Sequence, residues 1–194
     1  VYKRQGLRRL YNTKVLPLEM ASKYSNFASP PMSYSDFEAK PMVLIIGQYS
    51  VGKTSFIRSL VKQDFPGQRI GPEPTTDRFT AIMHSDSKSH LDPHGGRRPS
   101  PGQAEPGRLI PGHALVMESD KPFSGLGSMG NNFLSKFEGA EIDAAILRNI
   151  TIIDTPGVLA GEKQRLGRDY DFSEVIKWFS ERADMIIVMF DGHK

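Results

Sequence analysis

Residues Pro41 to Ser55, with the sequence PMVLIIGQYSVGKTS, decide the fold of this 194-residue chain. An apolar run ends in the octet from Gly47 to Thr54, which matches the phosphate-binding pattern G-x-x-x-x-G-K-[ST] at every defined position. Glycines in such a loop let the backbone wrap a phosphate so that successive N–H groups face its oxygens. The stretch predicts a buried strand, a nucleoside-triphosphate site and a helix, in that order. The alternative is a glycine-rich turn that matches by chance.

The residue types in this loop have distinct chemical roles. Lys53 is predicted to place a fixed cation against the β- and γ-phosphates. The Thr54 hydroxyl is predicted to take one position on Mg²⁺, which accepts oxygen ligands in an octahedral shell. The predicted nucleotide-binding residues of the loop are Gly47, Gln48, Tyr49, Ser50, Val51, Gly52, Lys53, Thr54 and Ser55.

A second motif, from Ile150 to Gly157 (ITIIDTPG), is again an apolar run that ends in polar residues. A carboxylate at the carboxyl end of a parallel strand lies at the edge of the sheet where ligands bind. Asp154 is therefore predicted to hold Mg²⁺ through a water, as a Walker-B carboxylate does. Gly157 lacks a Cβ and is predicted to turn its N–H toward the γ-phosphate. The alternative is an ordinary turn, since Asp, Pro and Gly are common turn residues.

The segment from Gly71 to Asp77 (GPEPTTD) is predicted to be an extended loop, because it has two prolines within four residues. Thr75 and Thr76 would then lie on a loop just before an apolar strand. A switch I segment supplies a threonine at this point, whose hydroxyl ligates Mg²⁺ and whose backbone contacts the γ-phosphate or the attacking water. The alternative is a Pro-rich connection whose threonines cap the next strand.

These motifs together resemble the EHD family, the dynamin-like ATPases that carry an Eps15-homology domain. GQYSVGKTSFI resembles the family's GQYS-x-GKT-[ST]-F-I, GPEPTTDRF its switch I, and IIDTPGVLAGEKQR its Walker-B and switch II. The likeness continues through YDF (170–172), WF (178–179) and the final FDGHK. It covers nearly the whole chain apart from one insertion and the first few residues. GQYS together with GPEPTTD distinguishes this family from P-loop proteins at large.

The resemblance implies an α/β fold of the P-loop NTPase class, a dynamin-like G domain whose mostly parallel sheet is flanked by helices and is incomplete at residue 194. It implies Mg²⁺-dependent binding and slow hydrolysis of ATP. GTP stays open because the base-reading motif is expected on a later strand. Thr76 would orient or gate the attacking water, and Gln48 would assist as the matching glutamine does in dynamins, although Tyr49 replaces the serine beside it. A signalling GTPase switch and a catalytically silent scaffold remain alternative interpretations.

For the full protein, the resemblance implies a homo-oligomer formed through the G domain, located in the cytoplasm and peripherally on endosomal or plasma membrane. The segments that contact lipid, and the Eps15-homology domain that binds Asn-Pro-Phe proteins, are expected outside this chain. The net charge of +3 is small and the basic residues are scattered, so nucleic-acid binding is not predicted. The chain has no cysteine, which excludes disulfides and thiolate metal sites. No apolar run is as long as a membrane span.

The chain divides into residues 1–40, an N-terminal helical segment with a connection, and residues 41–194, the nucleotide-binding domain. The first segment is predicted to be an amphipathic helix interrupted at Pro17; helices are also predicted at Lys53–Lys62, Asn131–Phe137 and Phe172–Arg182. Residues 86–108 are rich in Pro and Gly and lack apolar periodicity, so they predict a mobile surface insertion where the family has a short turn. A gene-model error would produce the same sequence.

Overall fold

A computed structural model of the chain describes residues 2–28, 31–68, 77–85, 107–158 and 168–192. The α-helices are α1 (Tyr2–Leu10), α2 (Leu16–Ser22), α3 (Tyr34–Glu38), α4 (Lys53–Val61), α5 (Gly112–Leu115), α6 (Gly130–Leu134) and α7 (Phe172–Arg182). The strands are β1 (Met42–Gly47), β2 (Phe79–His84), β3 (Arg108–Pro111), β4 (Phe137–Ile142), β5 (Thr151–Asp154) and β6 (Met185–Met189). A π-helical turn lies at Tyr11–Val15, and 3₁₀ turns lie at Tyr24–Asn26, Ser124–Met129 and Ala145–Arg148. Within the described ranges, no helix is both long enough and apolar enough to cross a bilayer.

The six strands form one sheet in the order β3-β4-β2-β5-β1-β6. β1 pairs in parallel with β5 and with β6, and β2 pairs in parallel with β4. The β2–β5 and β3–β4 pairs are antiparallel. The predicted α/β architecture is confirmed, as a mixed sheet in which three of five pairings are parallel.

The core lies in two layers, one on each face of the sheet. Successive side chains of a strand point to opposite faces. Accordingly, Leu44 belongs to the apolar cluster beneath α7, whereas its neighbour Ile45 belongs to the cluster beneath α4. The α7 layer is rich in aromatic rings, among them Phe79 and Phe179, which stack with their centroids 5.6 Å apart. Both sides of the central strands are therefore covered, as an α/β fold requires.

The N-terminal helix is not interrupted at Pro17 as the sequence predicted. Pro17 lies in the first turn of α2, and the chain absorbs it in the π-helical turn just before, where the N–H of Leu16 donates to the carbonyl of Tyr11. A wider turn before a proline relieves the contact between its ring and the preceding turn. Of the predicted apolar face, Tyr11 is buried, whereas Leu7, Leu10, Val15 and Leu18 remain exposed within the described part of the chain.

The prediction of a helix over Asn131–Phe137 is wrong at its C-terminal end. Helix α6 stops at Leu134, and Phe137 begins β4, which is buried along its whole length. This strand carries two glutamates into the interior. The Glu138 carboxylate accepts from Arg78 at 3.3 Å, and the Glu141 carboxylate accepts from Lys121 at 2.9 Å. The two ion pairs allow an acidic sequence to form an inner strand, because buried charges need partners.

The strand directions determine which of two edges of the sheet each loop lies at. The carboxyl ends of β1 and β5 lie at one edge, and the amino end of β2 lies there too because β2 is antiparallel to β5. The carboxyl end of β2 and the amino end of β3 lie at the opposite edge, beside Ile142 and Glu141 of β4. Most of the predicted insertion lies outside the described residues. Its last residue, Arg108, is the first residue of β3.

Replacing residues 86–106 with six Gly and Ser residues should leave the fold intact. β4 lies between β2 and β3, so the linker must cross two strand spacings, about 10 Å, and six residues extend to about 20 Å. Each halving of the loop length lowers the entropic cost of closing the loop by about 0.6 kcal/mol. Thermal unfolding should therefore show an equal or slightly higher Tm.

A single glycine in place of residues 86–106 is the matched control. Its two Cα steps reach at most about 7.6 Å, which is too short to pass the end of β4. This variant should lose the β3–β4 pairing and have a lower Tm. A Tm lowered by several degrees in the six-residue variant would show instead that residues 86–106 pack on the domain.

Candidate functional site

The predicted phosphate-binding loop connects β1 to α4. β1 ends at Gly47 and α4 begins at Lys53, so Gln48 to Gly52 form the turn. A Cβ at Gly47 would lie 2.3 Å from the carbonyl oxygen of Met189, so no side chain fits there. Gly52, the N-cap of α4, has a φ of 84°, a conformation that favours glycine. The two glycines of the motif therefore meet two different backbone requirements.

Lys53 lies inside this loop rather than on its surface. The residue is 5% exposed, and its Nζ donates to the carbonyl oxygens of Gly47 and Gln48, each at 3.0 Å. Burial lowers the pKa of Lys53, an effect that the negative charge of Asp154 opposes. The ammonium is thus held by the loop's own carbonyl groups, at the first turn of a helix whose N-terminus favours anions.

Thr54 and Asp154 meet next to this lysine. The Thr54 hydroxyl donates to Oδ2 of Asp154 at 2.7 Å, and the residue Asp154 is 2% exposed. Its other oxygen, Oδ1, is buried and has no hydrogen-bond partner. Burial raises the pKa of Asp154 to about 6, although the hydrogen bond from Thr54 and the charge of Lys53 act in the opposite direction. An unpartnered buried carboxylate oxygen is costly and is suited to receive a cation or its water.

These residues fit Mg²⁺. The Thr54 hydroxyl and the Asp154 carboxylate are hard oxygen donors, and Oδ1 is available. The described residues contain no group of three or more His, Cys, Asp or Glu that could hold a metal by themselves. Mg²⁺ takes few protein ligands and completes its shell with water and substrate phosphates, so a pair of donors at a phosphate-binding loop matches its preference.

The second motif packs directly against the phosphate-binding loop. The N–H of Val158 donates to Gly47 O at 2.9 Å, and the N–H of Tyr49 donates to Val158 O at 3.3 Å. A Cβ at Gly157 would lie 2.6 Å from the Cα of Tyr49, so a glycine is required. The Thr155 hydroxyl, which the sequence prediction passed over, donates to Ile45 O at 2.8 Å. The structure thus brings Asp154 and Gly157 to the loop that contains Lys53.

The remaining predicted site residues differ in how far the structure describes them. Thr75 and Thr76 lie outside the described residues. The chain after them begins again at Asp77, whose carboxylate pairs with Lys136, and Thr80 lies opposite Asp154 in the sheet. Of the other predicted residues in and beside the loop, Gln48, Ser50 and Ser55 are exposed, whereas Tyr49 and Val51 are half-buried.

Sequence reasoning missed Arg168, which contacts the second motif. Its Nη2 donates to Gly157 O at 2.8 Å, across eleven residues of chain. Its guanidinium lies over the ring of Phe172, 4.0 Å from the centroid. No motif contains this arginine. The signal that was available is its position just before the YDF stretch that opens α7.

Comparison with family models gives two matches. The model described as the dynamin family matches residues 43–194, and the model described as the N-terminal EH-domain containing protein matches residues 6–38. The first match covers every described element from β1 to β6 apart from the first residue of β1.

Curated proteins and solved structures also resemble the chain. EH domain-containing protein 3 of Rattus norvegicus is 50% identical over 190 residues, which are 98% of this chain and 32% of that protein. EH domain-containing protein 1 of Homo sapiens gives the same values. The chain therefore spans about a third of the length of the curated relatives it matches. A chain of an oligomerised bacterial dynamin pair has a TM-score of 0.38 at 12% identity, covering 91% of this chain and 40% of its own.

Asp154→Asn should raise the free energy of unfolding when neither nucleotide nor metal is bound. The size of this gain should depend on pH. The Asp154 pKa is about 6 in the folded chain, against a reference of 3.8. Below pH 4 the carboxyl is neutral in both states. Between pH 4 and 6 the unfolded chain releases the proton first, so the wild type loses stability as pH rises, by at most about 3 kcal/mol.

The measurement is the Tm of Asp154→Asn minus the Tm of wild type, recorded from pH 4 to 8. The difference should grow up to about pH 6 and then stay constant. Asp120→Asn is the control, because the Asp120 side chain is 73% exposed and should give a flat difference. A less stable Asp154→Asn variant at pH 7.5 would contradict the argument that the buried carboxylate is costly.

Proposed function

This chain belongs to the dynamin family and carries the N-terminal region of the EH-domain-containing proteins, and on that premise we propose that it binds a nucleoside triphosphate with Mg²⁺ and hydrolyses it slowly, with ATP as the preferred nucleotide. The observation that carries the proposal is the buried contact between Thr54 and Asp154 beside Lys53, with one carboxylate oxygen left unpartnered. A phosphate-binding loop with a hard-oxygen pair at its exit is suited to a metal-bound triphosphate.

The residues of the site act by positioning and charge neutralisation rather than by covalent chemistry. Lys53 and the loop amides hold the phosphates, and Thr54 and Asp154 hold the metal. Mg²⁺, when bound, supplies charge neutralisation at the β- and γ-phosphate oxygens. The N–H of Gly157 contacts the γ-phosphate, on the side of the loop where Gly157 already lies against Tyr49.

Thr76 is proposed to ligate the metal and orient the attacking water. Support comes from the sheet: Thr80 lies opposite Asp154, and Thr76 precedes Thr80 by four residues along the chain. Four residues span at most about 14 Å, and the proposal requires the Thr76 hydroxyl to come to the metal within that reach. Gln48 is proposed to assist from the phosphate-binding loop.

For the longer protein we propose membrane remodelling in endocytic recycling. Its similarity to EH domain-containing proteins supports this role. The G domain, residues 41–194, would drive self-association, and the helical segment of residues 1–40 would join a helical unit beside it. An Eps15-homology domain would recruit Asn-Pro-Phe proteins to endosomal or plasma membrane from the cytoplasm.

Titration with fluorescent ATP and GTP analogues, with and without Mg²⁺, tests the proposed activity. Tighter binding of ATP would support the ATPase. Tighter binding of GTP would favour a GTPase, and binding of neither would favour a silent scaffold. The base preference rests on the likeness to the EHD family, so this titration decides it directly.

Lys53→Met should abolish nucleotide binding while keeping the aliphatic stem that fills the loop. Charge-assisted hydrogen bonds to phosphate are worth about 3 kcal/mol or more together, so affinity should fall about 100-fold or more. Equilibrium titration measures the affinity, and Tm checks the fold. Lys177→Met, whose side chain is 75% exposed on α7, is the control. Unchanged affinity in Lys53→Met would remove the nucleotide site from this loop.

Thr76→Ala should separate binding from turnover. The phosphate-binding loop supplies most of the ground-state affinity, so a non-hydrolysable triphosphate should still bind within a few-fold. Hydrolysis should fall about 100-fold, as when one group that acts in the transition state is removed. Thr75→Ala is the matched control. Normal turnover by Thr76→Ala would assign the role to Thr75 or to another residue.

A further inference from the structure

Arg168 is tied by a hydrogen bond to the motif that ends at Gly157. Its Nη2 donates to Gly157 O at 2.8 Å, while the next N–H along the chain, that of Val158, donates to Gly47 O at 2.9 Å. The carbonyl and the N–H of this one peptide group are therefore both fixed. One bond leads to Arg168 and the other to the phosphate-binding loop.

The hydrogen bonds continue from that peptide group to the lysine. Gly47 O, which accepts from Val158, also accepts from Lys53 Nζ at 3.0 Å. A chain of contacts thus joins the Arg168 guanidinium to the Lys53 ammonium through Gly157 and Gly47. The positive charge of Arg168 in turn contributes to lowering the pKa of Lys53. The two cations lie close enough to repel each other.

Arg168 is a half-buried cation with one unused donor. Burial lowers the pKa of Arg168, an effect that the charges of Tyr170 and Asp77 oppose, and its Nη1 is buried and donates to no acceptor among the described residues. A planar guanidinium has five N–H donors and suits planar or bidentate contacts with oxygens. A buried charge of this kind is costly until an anion comes near it.

We propose that Arg168 is a positioning residue that lets this site distinguish a nucleoside triphosphate from the diphosphate, by fixing the Gly157–Val158 peptide against the phosphate-binding loop. The loop amides and Lys53 serve both nucleotides. The N–H of Gly157 is proposed to contact only the γ-phosphate, so its position affects the affinity for the triphosphate and not for the diphosphate. The inference rests on the proposed function, since it needs a nucleotide in the loop.

The test compares the affinity for the diphosphate with the affinity for the triphosphate in four proteins. Fluorescent ADP and a fluorescent non-hydrolysable ATP analogue, with their guanine counterparts, are titrated with Mg²⁺ into wild type, Arg168→Ala, Arg168→Lys and Arg182→Ala. Arg182 is the matched control because its guanidinium also stacks on an aromatic ring of α7, 4.1 Å from the Trp178 centroid, and bonds the Trp178 carbonyl of its own helix.

Arg168→Ala should weaken the affinity for the triphosphate about tenfold or more, as expected for the loss of a charge-assisted contact. Its affinity for the diphosphate should stay within about threefold of the wild-type value. Arg168→Lys should behave like Arg168→Ala, because an ammonium lacks the planar group that lies over the Phe172 ring while it donates to Gly157 O. This variant also covers the case in which the alanine variant does not fold. Arg182→Ala should keep the wild-type ratio.

An equal loss for both nucleotides, or the same loss in Arg182→Ala, would overturn the inference and assign Arg168 a role in stability. Full recovery by Arg168→Lys would also overturn it, since charge alone would then suffice. Wild-type protein that binds both nucleotides but does not distinguish them would refute the inference and leave the proposed function standing. Wild-type protein that binds neither would refute the proposed function itself.

Discussion

The parallel pairing of β1 with β5, in which Ile45 lies beside Asp154, is the constraint on which the site depends. It brings the ends of two strands far apart in sequence to one edge of the sheet. The phosphate-binding loop starts two residues after Ile45, so Thr54 can reach the carboxylate. The bonds from Thr155 to Ile45 and from Val158 to Gly47 continue the same contact beyond the strands. A shift of one residue would turn Asp154 to the other face.

The same geometry makes the site a source of instability when no ligand is present. Asp154 is buried with one oxygen unpartnered, Lys53 is held by carbonyls, and Arg168 has a buried donor without an acceptor. Each feature disfavours the folded chain, because burial removes water from a charged group. A bound phosphate and a bound cation would offset the first two of these costs. The apolar layers on both faces of the sheet provide the stability that allows such an arrangement.

The sequence predicted the elements that follow simple patterns. β1, β2 and β5 are apolar runs bounded by polar residues, and α7 has the helical period with Asp171 as its N-cap. It failed for β4, because Glu, Gly and Ala are uncommon in strands and the compensating Arg78 and Lys121 come from other segments. It missed Arg168 for a related reason, since the contact with Gly157 depends on folding across eleven residues. Motif residues were recognisable because backbone geometry fixes their identity, as at Gly47.

The position of the connection between β2 and β3 has a practical consequence. Ser85 and Gly107 lie at the edge of the sheet opposite the phosphate-binding loop, since β2 runs antiparallel to β5. Changes of length between them should leave the paired ends of β1 and β5 where they are. An affinity handle or a fluorophore built into the same position would report on assembly of the protein while the nucleotide edge stays accessible.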